Sequence, residues 1–240
     1  MEIYKLLPNK DGLIAFQKDG QTILVDTGLA DSFGGANAPL EICGVTVPFQ
    51  RDLSELPLCG RNPEIVSRIL DGVAIDRILG LSGLSPFKII VDASAHRIQF
   101  DTEDISLSHD WHSVEIEMVG GCLFVSIWLN GVPRKLLLDS GTPTSFADSL
   151  WLDACVRKAD RQDFHLLSGA ETASVYRALS KIAGFTFPIR YSVLSDALRK
   201  KIESQNHLPA GTVNGILGSA LLENHRGYLD VASGIFKVMQ

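Results

Sequence analysis

The sequence predicts an all-β fold of two similar lobes with a few short helices. Three observations lead to it: short β-prone runs are joined by tight-turn signals, helical patterns are few, and a set of motifs occurs twice in the same order. A chain of 240 residues has room for one large domain or two small ones, and the repeat favours two. We place the boundary after the acidic stretch 101–104, which gives lobes of residues 1–105 and 106–240.

Composition narrows the class of protein before any motif is considered. The chain is 45% hydrophobic and 21% charged, which is ordinary for a globular protein, and its net charge of −6 argues against a nucleic-acid binder. No apolar run reaches the ~18 residues of a membrane-spanning helix. Residues 1–16 lack the continuous apolar stretch of a secretory signal. We therefore expect a cytoplasmic protein that binds neither membrane nor nucleic acid.

The first repeated motif is an acidic tripeptide that follows an apolar run. Asp26-Thr27-Gly28 comes after three aliphatic residues, and so does Asp139-Ser140-Gly141, 113 positions further on. A D-G or N-G pair precedes each run, at Asp19-Gly20 and Asn130-Gly131. Such pairs favour the type I′ hairpin turn, because both central residues need a positive φ.

Three further matches follow in the same order. The sequence ICGVTVP (42–48) parallels IAGFTFP (182–188) at an offset of 140, and ILG recurs at 78–80 and 216–218 at an offset of 138. Asp92 and Asp230 are also 138 positions apart. The change of offset locates 27 additional residues in the second copy, between its D-S-G and its I-x-G-x-T-x-P. A stray tripeptide does not predict four ordered matches, so we interpret the chain as a duplication.

Each copy is expected to consist mainly of hairpins, because short β-prone runs flank turn signals. The predicted pairs are 13–16 with 22–25, 124–129 with 135–138 after a longer connection, 89–91 with 98–100, and 228–229 with 235–238. Two further strands, 45–47 and 185–187, are expected to end at Pro48 and Pro188.

Three helices are predicted. One begins at the Asn62 cap with Pro63 at its first position and runs to about residue 70. Another spans 195–205. The third occupies 144–158 in the insert, where four residues fall on one helical face: Phe146, Leu150, Ala154 and Cys155.

The repeated acidic motif indicates a specific chemistry. An Asp between an apolar strand and a Gly lies at a strand end, and two copies related by a pseudo-twofold axis would bring Asp26 and Asp139 face to face. Two carboxyl groups ~3 Å apart cannot both ionise readily, so they hold one proton between them. The ionised partner can take a proton from water while the protonated one donates to a carbonyl oxygen.

With these motifs the chain resembles the aspartic proteases of the pepsin and retroviral-protease type, for which such a proton-sharing pair is known. The resemblance extends over about residues 10–238 and implies a bilobal acid-protease β-barrel fold with pseudo-twofold symmetry. It also implies an aspartic endopeptidase, active as a monomer without metal or cofactor on a peptide or protein substrate. Asp26 and Asp139 would be catalytic. The residues implied to support them or lie near substrate are Thr27, Gly28, Ser140, Gly141 and Thr142.

Two features of the first copy depart from the family pattern. Leu29 stands where a small residue is usual, and we expect it to crowd the floor of the cleft. The first copy also has too few residues after Asp26 for a long flap hairpin. We therefore place the flap in the second lobe, at 164–179, with His165 or Tyr176 near the cleft; its candidate residues are Ser168, Gly169 and Tyr176.

A non-catalytic peptide-binding module on the same fold is the alternative, which Leu29 and the short first-lobe loop favour. The intact pair of aspartates favours the enzyme, because binding alone does not require two neighbouring acids. His109 and His112 flank Asp110, yet no further ligands cluster nearby, so we interpret them as a solvated stretch between the lobes rather than a metal site.

Overall fold

The structure is a computed structural model that describes residues 1–8, 12–35, 39–56, 72–158, 160–165, 169–223 and 225–239. The helix predicted at 62–70 lies outside these residues. Within them, no helix has the length and apolar character needed to cross a membrane.

The described residues of the first half form short strands and two helical turns. The strands are β1 (Glu2–Lys5), β2 (Ala15–Lys18), β3 (Gln21–Val25), β4 (Leu40–Ile42), β5 (Val45–Val47), β6 (Arg77–Leu79), β7 (Lys88–Asp92) and β8 (Arg97–Asp101). A 3-10 helix spans Leu53–Glu55, and the helix α1 (Leu81–Leu84) directly follows the first ILG sequence.

The second half has more and longer strands. They are β9 (His112–Val114), β10 (Ile116–Val119), β11 (Cys122–Leu129), β12 (Val132–Asp139), β13 (Ser145–Ala147), β14 (Val156–Arg157), β15 (Arg161–His165), β16 (Gly169–Ala173), β17 (Val175–Ile182), β18 (Phe185–Val193), β19 (Gly215–Gly218), β20 (Arg226–Asp230) and β21 (Ile235–Met239). The helices are α2 (Ser149–Leu152), α3 (Asp196–Gln205) and a 3-10 helix at Ser219–Glu223.

One six-stranded sheet contains strands from both halves, in the order β1-β8-β7-β20-β21-β9. At its centre β7 and β20 pair antiparallel, so equivalent strands of the two copies lie side by side. Lys88 pairs with Asp230 (3.5 Å), and Arg226 pairs with Asp92 (3.1 Å). The repeated aspartates thus join the two copies with one ion pair at each end of this strand pair.

The second half also closes a barrel. Its sheet runs β10-β11-β12-β19-β13-β18-β17-β14, and an additional pairing of β11 with β17 closes the ring. The first half contributes a three-stranded sheet, β2-β3-β6, and the β4–β5 hairpin. Mostly short strands with few short helices confirm the predicted all-β class.

The two D-G and N-G turns have the backbone that their sequences predict. Asp19 and Gly20 have φ values of 51° and 75°, and Asn130 and Gly131 have 48° and 81°. Both pairs therefore adopt the left-handed conformation of a type I′ turn. The longer connection predicted after Asn130-Gly131 is wrong, because β12 begins directly at Val132.

The helix predicted at 144–158 is also wrong. Residues 145–147 form β13, which pairs parallel with β18 and antiparallel with β19, and only the four residues of α2 are helical. Phe146 is buried whereas Leu150 is 77% exposed, so they do not share one apolar face. Tertiary strand pairing overrides the local helical pattern here.

Strand β18 continues through Pro188 instead of ending there. Pro188 pairs with Leu179 of β17, while the second neighbour of β18, β13, reaches only residues 191–193. A proline has no N–H to donate, and it is tolerated where a strand has a neighbour on one side only. The helix predicted at 195–205 is confirmed by α3, whose first turn Ser195 caps by accepting a hydrogen bond from the Leu198 N–H.

Candidate active site

Both repeated aspartates lie at the ends of buried strands beside the ILG sequences. Asp26 directly follows β3, which pairs parallel with β6, and Asp139 ends β12, which pairs parallel with β19. The Asp26 N–H donates to the Leu79 carbonyl at 2.9 Å. Pairing with an ILG strand thus fixes the point at which each aspartate loop leaves its sheet.

The hydroxyls of Thr27 and Ser140 join the two loops by four crossing hydrogen bonds. Thr27 Oγ1 accepts from the Ser140 N–H (3.0 Å) and donates to the Leu138 carbonyl (2.9 Å). Ser140 Oγ accepts from the Thr27 N–H (3.0 Å) and donates to the Val25 carbonyl (2.8 Å). Because all four are buried and reciprocal, neither loop can shift without breaking bonds to the other.

The glycines that follow allow each carboxyl group to lie against the opposite loop. A Cβ on Gly28 would stand 2.3 Å from Asp139 Cγ, and one on Gly141 would stand 2.2 Å from Asp26 Oδ2. The Gly28 N–H donates to Asp26 Oδ1 and the Gly141 N–H to Asp139 Oδ1, both at 2.9 Å. Glycine is required at both positions, since any side chain would overlap a carboxyl group.

The two carboxyl groups are each 3% exposed, and each lies against the glycine of the opposite loop, next to the other aspartate. Burial, followed by the negative charge of Asp139, raises the pKa of Asp26 well above its usual range, against the opposing effect of the Gly28 N–H. Asp26 therefore keeps a proton at pH values where an ordinary Asp has lost it. A protonated and an ionised carboxyl side by side can act as acid and base together.

A buried thiol also lies near the pair. Burial, then the charges of Asp139, Asp26 and Asp31, raises the pKa of Cys122 to about 12. The thiol stays protonated at neutral pH, so Cys122 is not an activated nucleophile.

Thr142 and Leu29 both face inward. Thr142 is fully buried, and its carbonyl accepts from the Ser219 N–H at 2.8 Å, which ties the Asp139 loop to the residue after the second ILG sequence. Leu29 is 3% exposed and packs in an apolar cluster with Phe33 and Ile78. The expectation that Leu29 crowds the cleft floor is therefore wrong: its side chain belongs to the core.

A repeated serine that the motif comparison missed supports each loop. Ser32 Oγ accepts from the Gly80 N–H (3.0 Å), and Ser145 Oγ accepts from the Gly218 N–H (3.1 Å). Both serines precede a Phe, and the two S-F pairs have the same offset of 113 as the aspartates. Extending the alignment past the glycines would have found them.

Asn206, at the end of α3, also went unpredicted. Its Nδ2 donates to the Gly28 carbonyl, and its Oδ1 accepts from the Ala30 N–H, both at 2.9 Å. A side chain from the second half thus holds the backbone on both sides of Leu29. No local signal marks this contact, because Asn206 and Gly28 are 178 positions apart.

The predicted second-lobe hairpin is formed by β15 and β16, with His165 opposite Gly169. Its two strands occupy 161–165 and 169–173, slightly before the predicted 164–179, and Ser168 lies outside the described residues. Placing Tyr176 in this hairpin is wrong. It belongs to β17, where it pairs with Tyr191 and packs against the core.

His165 does reach the aspartates. Its Nε2 lies 3.2 Å from Asp139 Oδ2, and the side chains are 5% and 4% exposed respectively. The imidazole also makes a T-shaped contact with the Phe146 ring at a centroid distance of 6.2 Å. Of the two side chains expected near the cleft, His165 is the one beside the aspartates.

No group of three His, Cys, Asp or Glu side chains in the described part of the chain could hold a metal ion. His109 is 95% exposed and contacts Asp110 at 3.2 Å.

A comparison with solved structures agrees with this architecture, whereas comparisons of the sequence find no match. No protein-family model matches the sequence, and no curated protein matches it. Among solved structures, an aspartic proteinase from Irpex lacteus is similar, with a TM-score of 0.50 and 11% identity over 100% of this chain and 97% of that chain. At this identity the likeness concerns the fold alone, and it confirms the predicted bilobal acid-protease fold.

Proposed function

We propose that this chain is an aspartic endopeptidase, which hydrolyses peptide bonds with a water activated between Asp26 and Asp139. The observation that carries the proposal is the adjacent pair of buried carboxyl groups, in which Asp26 has a strongly raised pKa. One carboxylate accepts a proton from the water as it attacks the carbonyl carbon. The other carboxyl donates its proton to the carbonyl oxygen, so no covalent intermediate or cofactor is required.

Other residues take supporting roles in this proposal. Thr27, Ser140 and Thr142 hold the loops, while Gly28 and Gly141 lie near the substrate main chain. The β15–β16 hairpin, which includes Gly169, is the flap over a bound peptide. Because one chain supplies both aspartates, we expect a monomer built from duplicated lobes of residues 1–105 and 106–240.

The test is cleavage of an unfolded protein across pH 3–8. We expect the wild type to cleave it, and Asp26→Asn and Asp139→Asn each to lose at least about 1,000-fold in kcat/KM, since either change removes an acid or a base. Asp110→Asn is the matched control, because Asp110 is an exposed aspartate whose side chain contacts the exposed His109. Equal cleavage by wild type and both Asn variants of the pair, or cleavage by none, would refute the proposal.

A non-catalytic peptide-binding module is the second candidate. The observation that favours it is the first copy's short β4–β5 hairpin, which has three-residue strands. Such a module would bind an extended peptide, with affinity unchanged in Asp26→Asn, and would release it uncut.

A further inference from the structure

The two aspartates have similar backbone contacts but different side-chain neighbours. Each carboxyl group accepts one hydrogen bond at Oδ1 from the glycine two positions further on. Asp139 has a second contact at Oδ2, from the imidazole of His165. Among the described residues, no imidazole is hydrogen-bonded to Asp26. The site is therefore symmetric in its backbone and asymmetric in its titratable side chains.

Burial makes this contact stronger than the same contact at the surface. His165 and Asp139 are both about 95% buried, and a hydrogen bond between largely desolvated groups is electrostatically stronger than one in water. Among the side chains that the structure describes, Asp139 faces the imidazole of His165, Asp26 lies next to Asp139, and β13 contributes the apolar ring of Phe146. The nearby Cys122 thiol is neutral.

An ionised carboxylate can only accept hydrogen bonds, so His165 stabilises it when Nε2 carries the hydrogen. This holds for the imidazolium and for the neutral Nε2–H tautomer. A donor to the charged form of one carboxyl group favours ionisation of that group over its neighbour. Each carboxylate oxygen has two lone pairs, so Asp139 Oδ2 can accept from His165 and still accept from a water.

We propose that His165 is a positioning residue of the site, which holds Asp139 as the ionised carboxylate and leaves the shared proton on Asp26. This inference rests on the proposed function and extends it, because it assigns the two roles: Asp139 is the base that takes the proton from water, and Asp26 is the acid. The raised pKa of Asp26, caused by burial and by the charge of Asp139, agrees with this assignment. The inserted hairpin, present in the second copy, thereby gives the two aspartates different roles.

The pairing can be tested without any activity, by an NMR pH titration of the imidazole of His165, assigned by the loss of its signal in His165→Gln. Asp26→Asn leaves an anion facing the imidazole, whereas Asp139→Asn replaces that anion by an amide. We expect the His165 midpoint to be lower in Asp139→Asn than in Asp26→Asn by about one pH unit or more. Equal midpoints, or a higher midpoint in Asp139→Asn, would overturn the inference.

The pH dependence of kcat/KM tests the consequence for the reaction. His165→Phe removes the donor, so ionised Asp139 is less stable and the acid limb of the profile should move up by about one pH unit. His165→Gln keeps an amide donor and should move it less, and His109→Gln, a change at an exposed histidine, should not move it. An acid limb unchanged in the Phe variant contradicts the inference. If no variant cleaves, the proposed function fails, and the titration still decides whether His165 pairs with Asp139.

Discussion

The two aspartate loops are nearly identical in the contacts they make with each other and different in the contacts they make with the rest of the chain. Inside, both have a strand-end aspartate, a bracing hydroxyl and a glycine under the opposite carboxyl group. Outside, the Asp26 loop is held by Asn206, whereas the Asp139 loop is covered by His165. The bonds that bring the two carboxyl groups together are therefore symmetric. Segments further along the second copy give each aspartate different surroundings.

Substituting the two loop glycines tests the symmetric contacts between the loops, and it should lower activity the most. Gly28→Ala and Gly141→Ala each place a methyl group within 2.3 Å of the opposite carboxyl group. Displacing that group should lower kcat/KM by about 100-fold or more in both variants, since misplacing a reacting group by ~1 Å costs about that much. Gly35→Ala is the control, because a Cβ there meets nothing within 4 Å. Wild-type cleavage by either Gly28→Ala or Gly141→Ala would show that the carboxyl groups do not lie as described.

The bracing hydroxyls test whether the two loops depend on each other equally. Thr27→Val and Ser140→Ala each remove two buried hydrogen bonds and leave a backbone N–H of the other loop without its acceptor. We expect each to lower the free energy of unfolding by about 2–3 kcal/mol, measured by urea denaturation. Thr46→Val, at an exposed strand position, should change it by less than about 0.5 kcal/mol. A large loss in one variant alone would contradict the reciprocal arrangement.

Substituting Asn206 tests the contact between the end of α3 and the Asp26 loop. Asn206→Leu removes both hydrogen bonds to the backbone around Leu29 and should lower kcat by about 10-fold with a smaller change in KM. Asn206→Asp keeps the acceptor for the Ala30 N–H and should recover part of the loss. Asn214→Ala is the control, because Asn214 Nδ2 bonds to the carbonyl of Gly211 in its own turn. If the Asp variant is as impaired as the Leu variant, the acceptor half of this contact has no positioning role.

The smallest expected effect is the pH dependence of stability. Burial and the charge of Asp139 raise the folded-state pKa of Asp26 above its unfolded value of 3.8. The contribution of Asp26 to the free energy of unfolding is therefore fully present below pH 3.8 and is lost as pH rises. Asp26→Asn removes the titrating group, and it should raise Tm at pH 7 by about 3 °C while changing it little at pH 3.5. Differential scanning calorimetry at both pH values checks this. A Tm gain that is equal at the two values would contradict the raised pKa.

Sequence predicts those parts of the fold that depend on local chemistry or repetition. The turns at Asp19-Gly20 and Asn130-Gly131 follow from the need for positive φ, and the repeated motifs place Asp26 and Asp139 at strand ends. Parts that depend on distant partners were missed. The predicted helix at 144–158 is instead partly strand because β13 lies between β18 and β19.

The candidate site divides in the same way. Contacts between the repeated loops could be expected from the repeat, and the S-F pairs were visible in it. The contact of Asn206 with Gly28 joins residues 178 positions apart that share no motif, so no pattern within one copy indicates it. His165 was expected near the cleft, but its placement on Asp139 depends on how the β15–β16 hairpin folds over the site.

We expect one chain to carry a complete site made by Asp26 and Asp139 together. Isothermal titration calorimetry with a statine-containing peptide, which mimics the tetrahedral intermediate of peptide hydrolysis, tests it most directly. We predict one binding site per chain and an affinity at least about 100-fold lower in both Asp26→Asn and Asp139→Asn, since a transition-state mimic of the proposed reaction would depend on both carboxyl groups. Half a site per chain, or an affinity that neither variant changes, would contradict the claim.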